Sequence, residues 1–254
     1  MTAEHGGRAE QARNGEAAER RRTIAANLEA VRERAAAACE KAGRPASDVT
    51  IIAVTKTYPA SDVRILADLG LREVGENRDQ EAAAKAAELG DLPLTWHFVG
   101  QLQTNKARSV ARYADVVHSV DRARLVTALG ARVRAEGRRL TCLVQVNLDA
   151  DSQAGVIGPR GGADPRDALG VADLIAAEEG LELGGVMAVA PREGDPGAAF
   201  ARLGTVAADI RDRYPRAMVI SAGMSGDMET AIEHGATHLR VGTALLGDRG
   251  PNVG

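Results

Sequence analysis

The chain has 254 residues, 44% of them hydrophobic, and sets 32 lysines and arginines against 35 aspartates and glutamates for a net charge of −3. That is enough apolar content for one large core, and the interspersed charge argues against a nucleic-acid stripe or an anionic membrane surface. No stretch of the sequence approaches the roughly 18 uninterrupted apolar residues of a membrane span or the apolar region of a secretory signal, and two cysteines, Cys39 and Cys142, offer neither a disulfide framework nor metal-ligand spacing. The expectation is a soluble, cytoplasmic protein whose partner is a small molecule.

Residues 1–19 are polar, rich in Gly, Glu and Arg and without hydrophobic period, so they are expected to be a disordered extension ahead of a single domain over 20–254. From Arg20 the pattern turns helical: Ile24, Leu28, Val31, Ala35 and Ala38 recur at three and four residues until Gly43 and Pro45 stop it. Short apolar runs then alternate with helix-period segments, which argues for parallel strands joined by crossover helices. Eight strand candidates follow in order, at 49–55, 72–75, 95–99, 115–119, 140–147, 183–189, 218–221 and 238–241. Apolar helical faces lie between them, among them Leu125, Val126, Leu129 and Val133, then Phe200, Leu203, Val206, Ala207 and Ile210. Eight strands predict a closed (β/α)8 barrel of the α/β class with an extra N-terminal helix, its interior filled by branched aliphatics, although periodicity alone leaves an open doubly wound sheet as the alternative. The segment 155–165, dense in glycine and proline, reads as a loop at the barrel mouth, either a lid or a plain linker.

Lys56 ends the run Ile51-Ile52-Ala53-Val54-Thr55, which puts its amine at the C-terminal lip of the first strand, the face where such barrels build their sites. An amine that sheds water favours its neutral, nucleophilic form, the one that condenses with an aldehyde. The bland reading is a lysine snorkelling at the rim. Ser221-Ala222-Gly223-Met224-Ser225 follows the seventh strand and Gly242-Thr243 the eighth, the two places where these barrels commonly bind phosphate. Ordinary helix capping by Ser221 and Ser225 is the competing account. Strand alternation sets Arg240 opposite Leu239 and Val241, and if it points inward its guanidinium needs an acceptor, either a heteroaromatic ring nitrogen or a carboxylate such as Glu76. Together these features outline a phosphorylated aldehyde lying across the mouth.

Thr55-Lys56, Gly75-Glu76-Asn77, Trp96-His97-Phe98-Val99-Gly100-Gln101-Leu102-Gln103-Thr104-Asn105-Lys106, Ser221-Ala222-Gly223-Met224-Ser225-Gly226-Asp227-Met228 and Arg240-Val241-Gly242-Thr243 resemble the signature segments of the pyridoxal phosphate homeostasis proteins. These are single-domain relatives of the alanine racemase TIM barrel, the fold-type III class. The resemblance runs collinearly from about Ile24 to Arg249. It implies pyridoxal 5′-phosphate held as a Schiff base on Lys56, with Asn77 near the cofactor. It also implies Ser221, Gly242 and Thr243, with Gly223 in the same loop, around the phosphate, and Arg240 facing the pyridine nitrogen. An arginine there leaves the ring unprotonated and a weak electron sink, so demanding carbanion chemistry is disfavoured. The implied function is intracellular cofactor homeostasis without a dedicated reaction, by a monomer that exchanges the cofactor with dependent apoenzymes. One departure is Gln153-Ala154-Gly155, where many relatives carry Lys-Ser-Gly, which puts any exchange role of that lysine in doubt.

Two enzymatic readings compete. An amino-acid racemase needs a second base on the far face of the substrate, which the alanine racemases take from a tyrosine associated with a further C-terminal domain. This chain ends about a dozen residues after its last strand, and Tyr58 is the tyrosine nearest Lys56 in sequence. A class I aldolase also uses a barrel lysine but needs an adjacent acid or base, and the strand ends show no convincing carboxylate pair. His97 reads equally as a hydrogen-bonded barrel histidine or a site residue, Lys106 as solvated, and His118, His234 and His238 lack metal spacing. Met187 and Met224 read as packing near the mouth.

Overall fold

Short runs rich in Val, Ile and Leu form strands because branched side chains suit a pleated surface covered on both faces. The computed structural model describes residues 3–149, 161–191 and 193–247, with side chains from Asn14 onward. The strands are β1 (Thr50–Val54), β2 (Glu73–Glu76), β3 (Thr95–Phe98), β4 (Val116–Val120), β5 (Leu140–Gln145), β6 (Leu181–Met187), β7 (Val219–Ser221) and β8 (His238–Val241). They pair in parallel, in sequence order, into a closed barrel. The seam between β1 and β8 is in register, with Ile52 opposite Arg240. All eight expected strands are present, and closure excludes the open sheet.

Eight helices, α2 (Ala60–Asp68), α3 (Asp79–Glu88), α4 (Ala107–Tyr113), α5 (Ala123–Ala135), α6 (Ala168–Ala177), α7 (Pro196–Arg213), α8 (Met228–Glu233) and α9 (Thr243–Leu246), follow the strands in turn. Strand residues such as Ala53, Phe98, Val117, Cys142, Val144 and Leu239 pack in one apolar cluster with Leu66, Leu125, Leu129, Ile175, Phe200 and Ile210. Each such large side chain, fully buried, contributes about 1.5–3 kcal/mol. Val63, Val74, Leu89 and Trp96 make a smaller second cluster.

The preceding helix α1 spans Ala3–Lys41, so it starts well before Arg20 and replaces most of the unstructured segment expected over 1–19. The physical reason lies in composition and cooperativity. Alanine, glutamate, glutamine and arginine are good helix formers, and a stretch continuing turns already packed through Ile24, Leu28 and Val31 needs no new nucleus. Its C-terminal end closes with Gly43 at φ 65° and Arg44 N–H on the Cys39 carbonyl, the left-handed stop that glycine supplies. Asn27 Nδ2 on the Leu245 carbonyl and Arg34 on Glu229 and the Ser225 carbonyl tie α1 to α9, α8 and the loop after β7.

The barrel interior differs from the expected aliphatic filling. His118 of β4 bonds Ser221 of β7 at 3.0 Å, and since those strands are not neighbours the bond crosses the lumen. A polar layer therefore replaces part of the aliphatic packing, satisfied by its own hydrogen bonds. Residues 155–160 of the glycine-rich loop and Gln153 lie outside the described residues. Among the described residues no helix is long and apolar enough to cross a membrane, and both cysteines are free and buried.

Candidate functional site

Lys56 lies two residues past the end of β1, with Thr55 fully buried before it and Thr57 exposed after it. Thr57 has φ 70°, the one non-glycine residue in the left-handed region among those described, a conformation costing a threonine about 1–2 kcal/mol. What holds it there is visible: the Thr57 backbone N–H donates to Glu81 Oε1, and Lys85 Nζ donates to Glu81 Oε1, Glu76 Oε1 and the Thr55 carbonyl, each at 2.7 Å. Thr55 Oγ1 adds a 2.7 Å bond to Glu76 Oε1. Burial pushes the Glu76 carboxyl up, and the bonds from Lys85 and Thr55 pull it back only in part. The peptide on both sides of Lys56 is thus pinned by α3 and the end of β2.

A cavity of about 410 Å³ opens at the C-terminal ends of the strands, and Lys56, Asn77, Arg240, Gly242 and Thr243 all line it. Five of the seven residues singled out in the sequence therefore meet at one place, in the size range typical of small-ligand pockets. The Asn77 side-chain oxygen is buried there without a protein partner. Gly100 lets the loop after β3 approach Asn77, since a Cβ at that position would lie 2.4 Å from the Asn77 carbonyl oxygen.

Ser221 and Gly223 are not among the lining residues. The Ser221 hydroxyl lies one layer deeper, accepting from Arg240 Nη1 at 2.7 Å and meeting His118 Nδ1 at 3.0 Å. Gly223 turns the chain at φ 90°, and a Cβ on it would come within 2.7 Å of the Ala231 Cβ. Ser225 and Gly226, four and five residues after Ser221, line the cavity instead. Within this loop the strand residue Ser221 points into the barrel, while the residues past the turn reach the mouth.

Arg240 points inward, and the alternative ion pair with Glu76 does not form, because Glu76 is engaged by Lys85 and Thr55. The guanidinium donates instead to the Ser221 carbonyl at 2.8 Å, to the Ser221 hydroxyl and to the Ala188 carbonyl at 2.8 Å. Burial pushes it down to about 10, with Asp227 a partial counterweight, so it stays a cation at neutral pH.

Tyr58 and Met224 also line the cavity, and the Tyr58 hydroxyl donates to the Gly247 carbonyl at 2.6 Å. Lys106, 39% exposed, lies 3.7 Å from Asp79, in keeping with a solvated role. His97 turns out to be a hydrogen-bonded barrel histidine, between Glu73 and His118. Sequence reasoning missed the Glu81–Lys85 brace. Its signal was a helical pair four residues apart directly after Asn77, a spacing that also describes many solvated pairs. Among the described residues no cluster of His, Cys, Asp and Glu could hold a metal ion.

Residues 26–250 match the family described as alanine racemase, N-terminal domain. The pyridoxal phosphate homeostasis protein of Mycobacterium tuberculosis is 47% identical over 242 residues, covering 87% of this chain and 91% of the relative. That of Escherichia coli is 40% identical over 233 residues, covering 89% and 97%. The solved structure of PipY from Synechococcus elongatus with PLP bound superposes with a TM-score of 0.75 at 37% identity, over 88% of this chain and all (100%) of that one. An alanine racemase of Clostridium difficile shares the fold, with a TM-score of 0.67 at 13% identity over 91% of this chain and 58% of that one.

Proposed function

This chain belongs to the pyridoxal phosphate homeostasis protein family, built on the alanine racemase N-terminal domain, and from that premise we propose that it holds pyridoxal 5′-phosphate as a Schiff base on Lys56. The observation that carries the reading is the convergence of Lys56, Asn77, Arg240, Gly242 and Thr243 on one cavity. The donor set suits the group: an amine for the aldehyde, a buried amide oxygen without a partner, a buried guanidinium, and a glycine-rich lip for the phosphate. When bound, the cofactor supplies an electrophilic aldehyde on a conjugated ring. Lys56, lining the cavity, would be the residue that holds this aldehyde through its side-chain nitrogen. Arg240 would face the ring nitrogen as a donor that keeps its proton, and Ser225, Gly226, Gly242 and Thr243 would hold the phosphate.

The proposed role is to hold and exchange the cofactor in the cytoplasm, as a monomer serving dependent apoenzymes, and not to turn over an amino acid. A racemase would call on Tyr58 as second base, and its hydroxyl is already committed to the Gly247 carbonyl. Purified protein given the cofactor should turn yellow, lose the band on borohydride treatment with the added mass on Lys56, and stay colourless as Lys56→Ala. A wild-type protein that binds no chromophore, or a Lys56→Ala protein that fixes it equally, would overturn the proposal. Turnover of any L-amino acid by circular dichroism, abolished by Tyr58→Phe, would restore the racemase.

A further inference from the structure

Five side chains from five strands form one unbroken chain of hydrogen bonds through the barrel. Arg240 Nη1 lies 2.7 Å from Ser221 Oγ, which is 3.0 Å from His118 Nδ1. His118 Nε2 lies 2.9 Å from His97 Nδ1, and His97 Nε2 lies 2.6 Å from Glu73 Oε2. The four inner members are 0–5% exposed, whereas the Glu73 side chain, at the start of β2, is 32% exposed. One end of the chain reaches the cavity and the other reaches the opposite rim of the barrel.

The chemistry of the groups fixes which atom donates. A guanidinium has donors only, so Ser221 Oγ accepts from Arg240 and has its own hydrogen to place. The other contact of that oxygen is His118 Nδ1, which therefore accepts and leaves the His118 proton on Nε2. That proton goes to His97 Nδ1, so the His97 proton sits on Nε2 and donates to the Glu73 carboxylate. Every bond is made with both imidazoles neutral. The reverse order leaves the Ser221 hydrogen without an acceptor, and with neutral rings it sets a bare His97 lone pair against a carboxylate. Burial also holds His118 well below its ordinary range, with His97 and Arg240 adding to the effect, which agrees with a neutral ring.

We propose that Glu73, through His97, His118 and Ser221, acts on Arg240 as a remote counter-charge in addition to the nearer Asp227, and that these four are positioning residues setting how strongly Arg240 donates into the cavity. The inference rests on the reading of the cavity as a cofactor site. Arg240 has no carboxylate among its direct hydrogen-bond partners, only two carbonyls and one hydroxyl. A cation so placed is polarised by whatever lies at the far end of its bonds, since buried hydrogen bonds in series reinforce one another.

Two measurements test this, one of them without cofactor. Long-range ¹⁵N–¹H NMR of histidine-labelled apoprotein should show His97 and His118 both neutral and both protonated on Nε2. A proton on Nδ1 of either ring overturns the chain. Loaded with pyridoxal phosphate, Ser221→Ala and Glu73→Gln should shift the visible absorption maximum in the same direction, Ser221→Ala the further. Unchanged maxima in both, with cofactor bound, reduce the chain to a structural strut and overturn its positioning role. A wild type that stays colourless, like Lys56→Ala, removes the cofactor reading, and the tautomers then decide the chain alone.

Discussion

The Lys85 amine sits 2.7 Å from the carbonyl oxygen of Thr55, so a helix that contributes no lining residue holds the peptide leading into Lys56. The same amine is the ion-pair partner of the fully buried Glu76. Removing one member of a buried pair leaves the other uncompensated, at about 3–5 kcal/mol. Lys85→Met should therefore lower unfolding stability in urea by about that amount and weaken chromophore formation. The double variant Glu76→Gln, Lys85→Met should recover part of the stability but not the chromophore, because Thr55 and Glu81 have still lost their donor. A single variant as stable as the wild type would show that the brace is idle.

Gly100 offers a test of the cavity wall. A Cβ there would stand 2.4 Å from the Asn77 carbonyl oxygen and 2.8 Å from its Cα, both backbone atoms that cannot swing aside. Gly100→Ala should push Asn77 out of the wall, lowering stability by about 1–3 kcal/mol, the usual cost of overpacking, and weakening cofactor affinity at least tenfold by equilibrium titration. Gly170 in α6, away from the cavity and where an added methyl would meet nothing within 4 Å, is the control. Equal affinity losses in the two alanine variants would mean that close approach at Gly100 is not what shapes the site.

The barrel was legible because alternation of apolar runs and helical faces is a strong signal, and all eight strands recur within a few residues of their expected ends. Lys56, Asn77 and Gly242-Thr243 were legible for a related reason: they lie within two residues of a strand end, and strand ends define the mouth. That Ser221 lies below the cavity wall was not legible, because motif membership carries no information about depth. It is the last residue of β7, and its side chain faces the lumen, whereas Ser225 lies beyond the turn. The Glu73–His97–His118 chain stayed hidden because it depends on distances across the barrel, which no spacing within one strand records. The start of α1 was missed because helix continuation from a packed segment needs no hydrophobic period.

Tyr58 separates holding from turnover. Its hydroxyl donates to the Gly247 carbonyl, tying the Lys56 loop to the segment after α9. Tyr58→Phe should cost about 0.5–1.5 kcal/mol, the net worth of one hydrogen bond, and speed cofactor release a few-fold in a dilution experiment. Release unchanged, with stability also unchanged, would mean that this tie restrains neither.

The buried histidines set the acid limit of the fold. Burial holds His118 well below its ordinary range and His238 at about 4, with His97 a further lowering influence on each. In the unfolded chain both return to about 6.5. As pH falls below that value the unfolded state gains protons that the native state refuses, so stability is full above about pH 6.5 and declines toward pH 4. Each histidine contributes a slope of about 1.4 kcal/mol per pH unit, so the pair gives up to about 2.7. Glu73 acts lower down: burial raises its carboxyl, but the His97 and Thr95 bonds outweigh this and leave it lowered. Its contribution is present above the ordinary carboxylate range and is lost only as pH falls through its native value, so it cannot mask the histidine slope. Urea midpoints at pH 7.5, 6 and 5 should fall steadily, and His238→Gln should roughly halve the slope. A flat profile over that range would mean the rings are solvated or already charged, and that the polar layer is not the dry one described.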